Sequence, residues 1–318
     1  MKKALVTGAE GFVGSTLVDT LLAEGVEVRA LAHYKPYGDR GNLAGKDVEV
    51  VAGDVRDAGL VMDAVNGCDT VFHLAALIGI PYSYRAPESY VQTNVTGTHN
   101  VAQACLRAGV SRLVHTSTSE VYGTARFVPI TEEHPIQPQS PYSASKIGAD
   151  MMALSYWHAF GLPVAVVRPF NVYGPRQSAR AVIPAILAQL HAGATEIELG
   201  ALTPTRDFTF AEDTARGFLA AARADKTVGE VVNVGSGREI SIGDLAELLI
   251  EITGSSATVA PARAERVRPA GSEVHRLLSD SSKAQALMGW SPRVPLREGL
   301  VRTSAWVAAQ GLGTGYQV

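Results

Sequence analysis

Short apolar runs alternate with amphipathic stretches through the first two thirds of the chain. Ala4 to Thr7 reads as a buried strand, and Ser15 to Ala23 as a helix that stops at Gly25. Further strands are expected at Val26 to Leu31, Val48 to Ala52, Thr70 to Leu74, Arg112 to Thr116 and Val164 to Arg168. Helical patterns lie between them, at about Gly59 to Val65, Tyr90 to Ala108 and Tyr142 to Phe160. Strand and helix in repeated alternation imply an α/β fold, a doubly wound parallel sheet covered on both faces.

The last third changes character. Proline and glycine punctuate residues 168–205, a helix-like Glu212 to Ala222 leads into a strand at Val231 to Val234, and Ile242 to Ile252 reads as a helix. Residues 258–272 are irregular and arginine-rich, and Gln310 to Val318 reads as a loose tail. The expected division is a main domain of residues 1–167, rejoined by segments at about 208–235. Residues 168–207 and 236–318 then form a smaller mixed C-terminal lobe that holds the substrate.

Composition narrows the chemistry. Hydrophobic residues make up 46% and charged residues 19%, the balance of a globular protein with a real core. A net charge of -3 offers no polycation to nucleic acid or to an anionic membrane, and neither is expected as a partner. No apolar run reaches the roughly 20 residues that cross a bilayer, and no signal peptide precedes the first strand, so a cytoplasmic location is expected. Cys68 and Cys105 form no disulfide framework and show no metal-ligand spacing. They read as small buried residues, and no metal is expected.

Gly8, Gly11 and Gly14 fall between the first strand and the first helix, in Gly8-Ala9-Glu10-Gly11-Phe12-Val13-Gly14. Glycines at such a junction allow a tight turn, close approach of a pyrophosphate to the backbone, and close packing of helix on strand. Amides at the helix start, including those of Phe12 and Val13, face the phosphates. The main domain is therefore expected to be a Rossmann-type dinucleotide-binding domain. A carboxylate usually ends the second strand to hold the adenosine ribose. Here Ala32-His33-Tyr34-Lys35 stands instead, which leaves NADP open, with His33 as a candidate contact, while the family resemblance described below makes NAD the first choice.

Tyr142-Ser143-Ala144-Ser145-Lys146 gives the spacing Y-x-x-x-K, which puts a phenol and an ammonium on one helix face. A tyrosine ionises near pH 10, too high for a base at neutral pH. A lysine cation and a positive nicotinamide ring would both favour the phenolate, which then takes a hydroxyl proton while hydride leaves the same carbon. Ser140-Pro141 before the pair is a helix-entry sequence, and Thr116-Ser117-Thr118 ends the strand that precedes it.

The glycine spacing together with Tyr142 and Lys146 resembles the extended short-chain dehydrogenase/reductase family of NAD-dependent epimerases and dehydratases. The resemblance implies that Asp54 and Val55 contact the adenine and that Leu74, Ala75 and Ala76 line the ribose and nicotinamide side. Thr118-Ser119-Glu120 is similar to the triplet of nucleotide-sugar 4,6-dehydratases. Glu120 would there remove the C5 proton of a 4-ketosugar, Thr118 would bind the C4 oxygen, and Ser119 would orient a water. Nearly the whole chain, including Pro204-Thr205-Arg206-Asp207-Phe208, resembles the hexosamine 4,6-dehydratases of legionaminic-type pathways.

That implies UDP- or GDP-linked N-acetylglucosamine as substrate, its 4-keto-6-deoxy derivative as product, and a homodimer paired through the helices near 90–108 and 142–160. Asn171, Arg206 and Arg268 match substrate-diphosphate contacts, and Ser83 and Asn94 match residues that line the cleft. The competing readings are a 4-epimerase, a UDP-glucuronate decarboxylase, and a non-catalytic dinucleotide sensor.

Overall fold

The computed structural model describes residues 1–36, 38–260 and 270–311. Its first half runs β1 (Lys3–Thr7), α1 (Phe12–Ala23), β2 (Glu27–Ala32), β3 (Glu49–Ala52), α2 (Ala58–Val65), β4 (Thr70–His73), α3 (Ile80–Arg85), α4 (Pro87–Tyr90), α5 (Gly97–Ala108), β5 (Arg112–Thr116), α6 (Pro141–Phe160) and β6 (Val164–Pro169). The second half runs β7 (Asn171–Tyr173), α7 (Val182–His191), β8 (Glu196–Ile197), β9 (Thr205–Phe210), α8 (Ala211–Arg223), β10 (Val231–Val234), β11 (Glu239–Ser241), α9 (Ile242–Thr253), β12 (Thr258–Val259), α10 (Ser282–Met288) and α11 (Leu296–Gln310).

Seven strands form one parallel sheet in the order β10-β6-β5-β4-β1-β2-β3. Alternate residues along the central strands feed two cores, as a period of two requires. Ala4, Val6, Phe72 and Val114 pack with α1 and α8, whereas Leu5, Val71 and Leu113 pack with α2, α5 and α6. The α/β, doubly wound Rossmann architecture expected from the sequence is what the chain adopts. Cys68 and Cys105 lie buried in the second of these cores.

Strand β10 pairs with β6, and α8 packs on α1, so the chain returns to the main sheet after its first excursion. Residues 205–210 belong elsewhere, in a small sheet ordered β11-β9-β7. Helices α7, α9 and α11 cover a third core around Tyr173, Phe208 and Phe210. Short strands of two or three residues carry too little pattern to stand out in the sequence, which is why this lobe reads as irregular.

The stretch expected as one helix over 90–108 is divided. Val91–Thr96 is a π-helical turn between α4 and α5, and Asn94 sits in it. Asn94 donates to the Leu77 carbonyl and to Ser145 Oγ, and it accepts from the Leu77 amide at 2.8 Å. This side chain therefore ties the loop after β4 to α6, a widened helical turn used to aim one residue inward. No helix of the described residues is long and apolar enough to cross a membrane.

Candidate active site

Every crossover brings a strand's carboxyl end to the same edge of the sheet, where ligands of open α/β folds bind. Gly8 follows β1 with φ +67, and a Cβ there would lie 2.9 Å from the Ala75 Cα. Only glycine fits both demands. A Cβ on Gly14 would run into the Gly8 carbonyl oxygen, so helix α1 also needs glycine to start this close to the strand. No acidic residue occupies the first turn of α1 and no side chain caps it. This cradle and its free positive helix end fit a pyrophosphate.

A buried polar clamp fixes the cradle. Thr7 Oγ1 accepts from the Leu74 and Ala75 amides at 3.1 Å each and lies 2.8 Å from His73 Nδ1. On its other side His73 Nε2 lies 3.1 Å from Thr98 Oγ1, whose proton goes to the Asn94 carbonyl. Burial pushes the His73 imidazole far below its usual pKa, so it is neutral. With Thr98 already donating, His73 must carry its proton on Nε2 and accept from Thr7 at Nδ1. Leu74, Ala75 and Ala76 are thereby held against the glycine loop. Sequence reasoning missed Thr7 and His73, because neither stands out of a buried strand.

At the adenosine end, His33 is exposed, and its amide donates to Glu10 Oε1 at 3.3 Å. Lys35 Nζ lies 2.7 Å from Glu10 Oε2. Asp54 is held by Arg56, and that hydrogen-bonded guanidinium keeps its carboxyl below the usual range. Val55 is buried against Gly97 at the start of α5.

Ser140 caps α6 through a capping box with Ser143, and Pro141 opens the helix. Tyr142, Lys146 and Asp150 then recur at four-residue spacing on one buried stripe. Lys146 Nζ donates to the Thr116 carbonyl at 2.6 Å. Burial lowers its pKa to about 8 despite the Asp150 carboxylate, which works to raise it. The phenol of Tyr142 differs from expectation. Burial pushes it well above its ordinary value, a hydrogen bond with Thr118 pulls it back, and Glu120 pushes it further up. Desolvation outweighs what the protein's own groups do for the phenolate.

Thr118 caps the single 3-10 turn Ser119–Tyr122 by accepting from the Glu120 amide at 3.2 Å. This turn sets Glu120 half-buried and Ser119 buried next to the Thr118–Tyr142 pair. Beneath it, Asp150 Oδ2 accepts from Ser117 Oγ at 2.6 Å and from Arg168 at 3.1 Å. Arg168 also donates to Tyr122 Oη, which donates in turn to Asn233 Oδ1 at 2.7 Å. His115 Nε2 comes within 3.2 Å of Asp150 Oδ1, but both atoms lack a well-directed hydrogen bond. Ser117 and Arg168 supply the carboxylate's directed hydrogen bonds at Oδ2, and His115 acts on Oδ1 from 3.2 Å. Asp150 follows Lys146 by four residues, a signal the sequence offered and sequence reasoning did not use.

The substrate-side candidates fare differently. Asn171 opens β7, and its buried Oδ1 has no hydrogen-bond partner among the described residues, as is true of Thr116 Oγ1. Such orphaned acceptors suit a site completed by a ligand. Arg206 is buried on β9 and pairs with Glu273 at 3.3 Å. Ser83 is fully buried on α3, which packs on α6, and donates to the Ile80 carbonyl. Arg268 lies outside the described residues.

A buried ammonium costs stability, and its pH dependence has a definite sign. The unfolded pKa of Lys146 is 10.5 and the folded one about 8, so between these values the unfolded chain binds more protons and stability rises with pH. Lys146→Met is expected to stabilise the fold by about 2–3 kcal/mol at pH 7. That advantage should shrink toward pH 10. Urea melts at the two pH values check it, and an equal difference at both would refute the assignment.

A dinucleotide cradle, a Tyr-x-x-x-Lys pair on the adjoining helix and a polar turn beside them define an extended short-chain dehydrogenase/reductase. The chain belongs to the family described as GDP-mannose 4,6 dehydratase, whose sequence model matches residues 5–303. It is 35% identical to a dTDP-glucose 4,6-dehydratase of Actinoplanes sp., over 96% of this chain and 98% of the other. It is 36% identical to a UDP-glucose 4-epimerase of Mycolicibacterium smegmatis, over 95% and 97%. Among solved structures, a DesIV double mutant, a dTDP-glucose 4,6-dehydratase from Streptomyces venezuelae with NAD bound, superposes with a TM-score of 0.85. That match has 34% identity and covers 95% of this chain and 96% of the other. This is an enzyme family of NAD-dependent nucleotide-sugar dehydratases and epimerases.

Proposed function

We propose that the protein is a nucleotide-sugar 4,6-dehydratase, a hydro-lyase that converts UDP- or GDP-N-acetylglucosamine to the 4-keto-6-deoxy sugar. The observation that carries this reading is the hydrogen bond of Thr118 to Tyr142, which sets Glu120, two residues on, beside the base. The cofactor is NAD, held by the Gly8–Gly14 loop, Asp54, Val55 and residues 74–76. When bound, it supplies the hydride acceptor for C4 and the hydride donor for C6.

Tyr142 takes the proton of the C4 hydroxyl, and the ammonium of Lys146, one helical turn on, would favour the phenolate that does so. Thr118 holds the C4 oxygen. The C4 ketone acidifies the C5 hydrogen, and Glu120 removes it as a proton. Glu120 then protonates the departing C6 oxygen, with buried Ser119 orienting the water formed. A hydride reaches C6, and Glu120, reprotonated from solvent, returns a proton to C5 while Tyr142 releases the C4 hydroxyl proton to solvent, so the net change is loss of one water. Asn171, Arg206 and Arg268 hold the diphosphate, for which a bidentate guanidinium is well suited. Ser83 lines the same cleft. Two chains pair through α5 and α6, whose neighbourhood leaves Val91, Met151 and Phe160 exposed.

Mass spectrometry after incubation with UDP- and GDP-N-acetylglucosamine tests the reading. Loss of one water from one of them is expected. An unchanged mass with inverted C4 would make the protein an epimerase, a reading favoured by the relative from M. smegmatis. Carbon dioxide released from UDP-glucuronate would make it a decarboxylase. Dinucleotide binding with no turnover of any nucleotide sugar would leave only a sensor.

A further inference from the structure

The second strand ends without an acid, yet a carboxylate reaches that place from the glycine loop. Glu10 is held at three points. Its carbonyl accepts from Asn42 Nδ2 at 3.0 Å, Oε1 accepts from the His33 amide at the end of β2, and Oε2 pairs with Lys35 at 2.7 Å. Asn42 belongs to the 3-10 turn Gly41–Leu43, which folds over the loop, and a Cβ on Gly41 would lie 3.2 Å from Lys35 Nζ. The turn therefore packs against the pair, covering Glu10 more fully than Lys35, which stays partly exposed. The neighbouring carboxylate of Asp54 is engaged by Arg56.

In dinucleotide folds the adenosine ribose lies between the glycine loop and the end of the second strand, and an acid there accepts from its hydroxyls. We infer that Glu10 sets the choice of dinucleotide: it supplies the ribose carboxylate from the loop and confines Lys35, the nearby cation a 2′-phosphate would need. This rests on the cofactor reading above and adds the residue that decides its form. A 2′-phosphate would meet a carboxylate head-on and would have to pull Lys35 from its partner. An unphosphorylated ribose meets an acceptor already oriented. Tenfold discrimination requires only about 1.4 kcal/mol, within the reach of one such group.

Calorimetric titration with NAD+ and with NADP+, without any sugar substrate, tests this directly. The wild type is expected to bind NAD+ at least tenfold more tightly. In Glu10→Gln the ratio should shrink at least threefold, chiefly because NADP+ binds better to the released Lys35. Lys35→Met, which frees the carboxylate of its ammonium partner, should keep or widen the preference, and it serves as an independent arm if the first variant folds poorly. A ratio in Glu10→Gln within threefold of wild type would overturn the assignment. So would a Lys35→Met protein that loses its preference, or a wild type that prefers NADP+, although the cofactor site itself would stand. A wild type that binds neither dinucleotide would remove the site as well.

Discussion

Tyr142→Phe is expected to lower turnover of the nucleotide sugar by about 10³-fold, the range general-base catalysis supplies, while NAD binding changes little. The hydroxyl is the only part removed. The ring keeps its edge contact with Tyr90, whose centroid is 6.2 Å away, and the helix keeps its Ser140 cap. Loss of the hydrogen bond with Thr118 should cost about 1 kcal/mol of stability at most, so the effect on rate is chemical and not structural. The raised phenol pKa sharpens the expectation. A base whose pKa burial raises gives a rate that climbs with pH until Lys146 loses its proton near pH 8, and that rising limb should vanish in the variant. Single-turnover assays, with cofactor affinity measured in parallel, check both parts. Retention of more than a tenth of the wild-type rate would show that another group takes the C4 proton.

The parts legible in the sequence were those with a strong local signature. Buried parallel strands give continuous apolar runs, so β1, β4, β5 and β6 stood out, and a glycine triplet between strand and helix admits few other uses. Ser140-Pro141 before Tyr142 announced a helix start that the capping box now explains. The lobe was poorly legible because β7, β8, β11 and β12 are two or three residues long and are held by tertiary pairing. The acid at the ribose site escaped notice for a different reason. Glu10 was in plain view within the glycine motif, but only folding brings it to the end of β2, 23 residues away along the chain. Likewise, Arg168 and Asn233 meet Tyr122 through strands β6 and β10, and no spacing rule encodes that meeting. The phenol of Tyr142 shows the limit of motif reasoning about energies. The motif names the base and its lysine, whereas burial decides which way the base's pKa moves.

Asp150→Ala should destabilise the protein by about 3–5 kcal/mol, the usual cost of leaving a buried charge without its partner. Arg168 is 2% exposed and Asp150 fully buried, so water cannot replace the lost carboxylate. Burial alone would raise the carboxyl, but His115, Arg168 and Lys146 together hold it below its usual range. Its contribution is therefore complete above the unfolded value of 3.8 and fades as pH falls through the lower folded value. Urea melts at pH 7 measure the loss, and a change below about 1 kcal/mol would show that Arg168 is balanced by other groups. A second substitution separates the missing charge from the missing packing: Arg168→Met in the Asp150→Ala background should recover part of the loss by removing the stranded cation. The same carboxylate also works to keep the proton on Lys146. Without it, the lysine should lose its proton below about 8, and any activity that needs its cation should fall off at lower pH than in the wild type. An acidward shift of the alkaline limb, measured on the fraction that remains folded, ties this buried pair to the catalytic helix. A limb that does not move would confine Asp150 to a purely structural role.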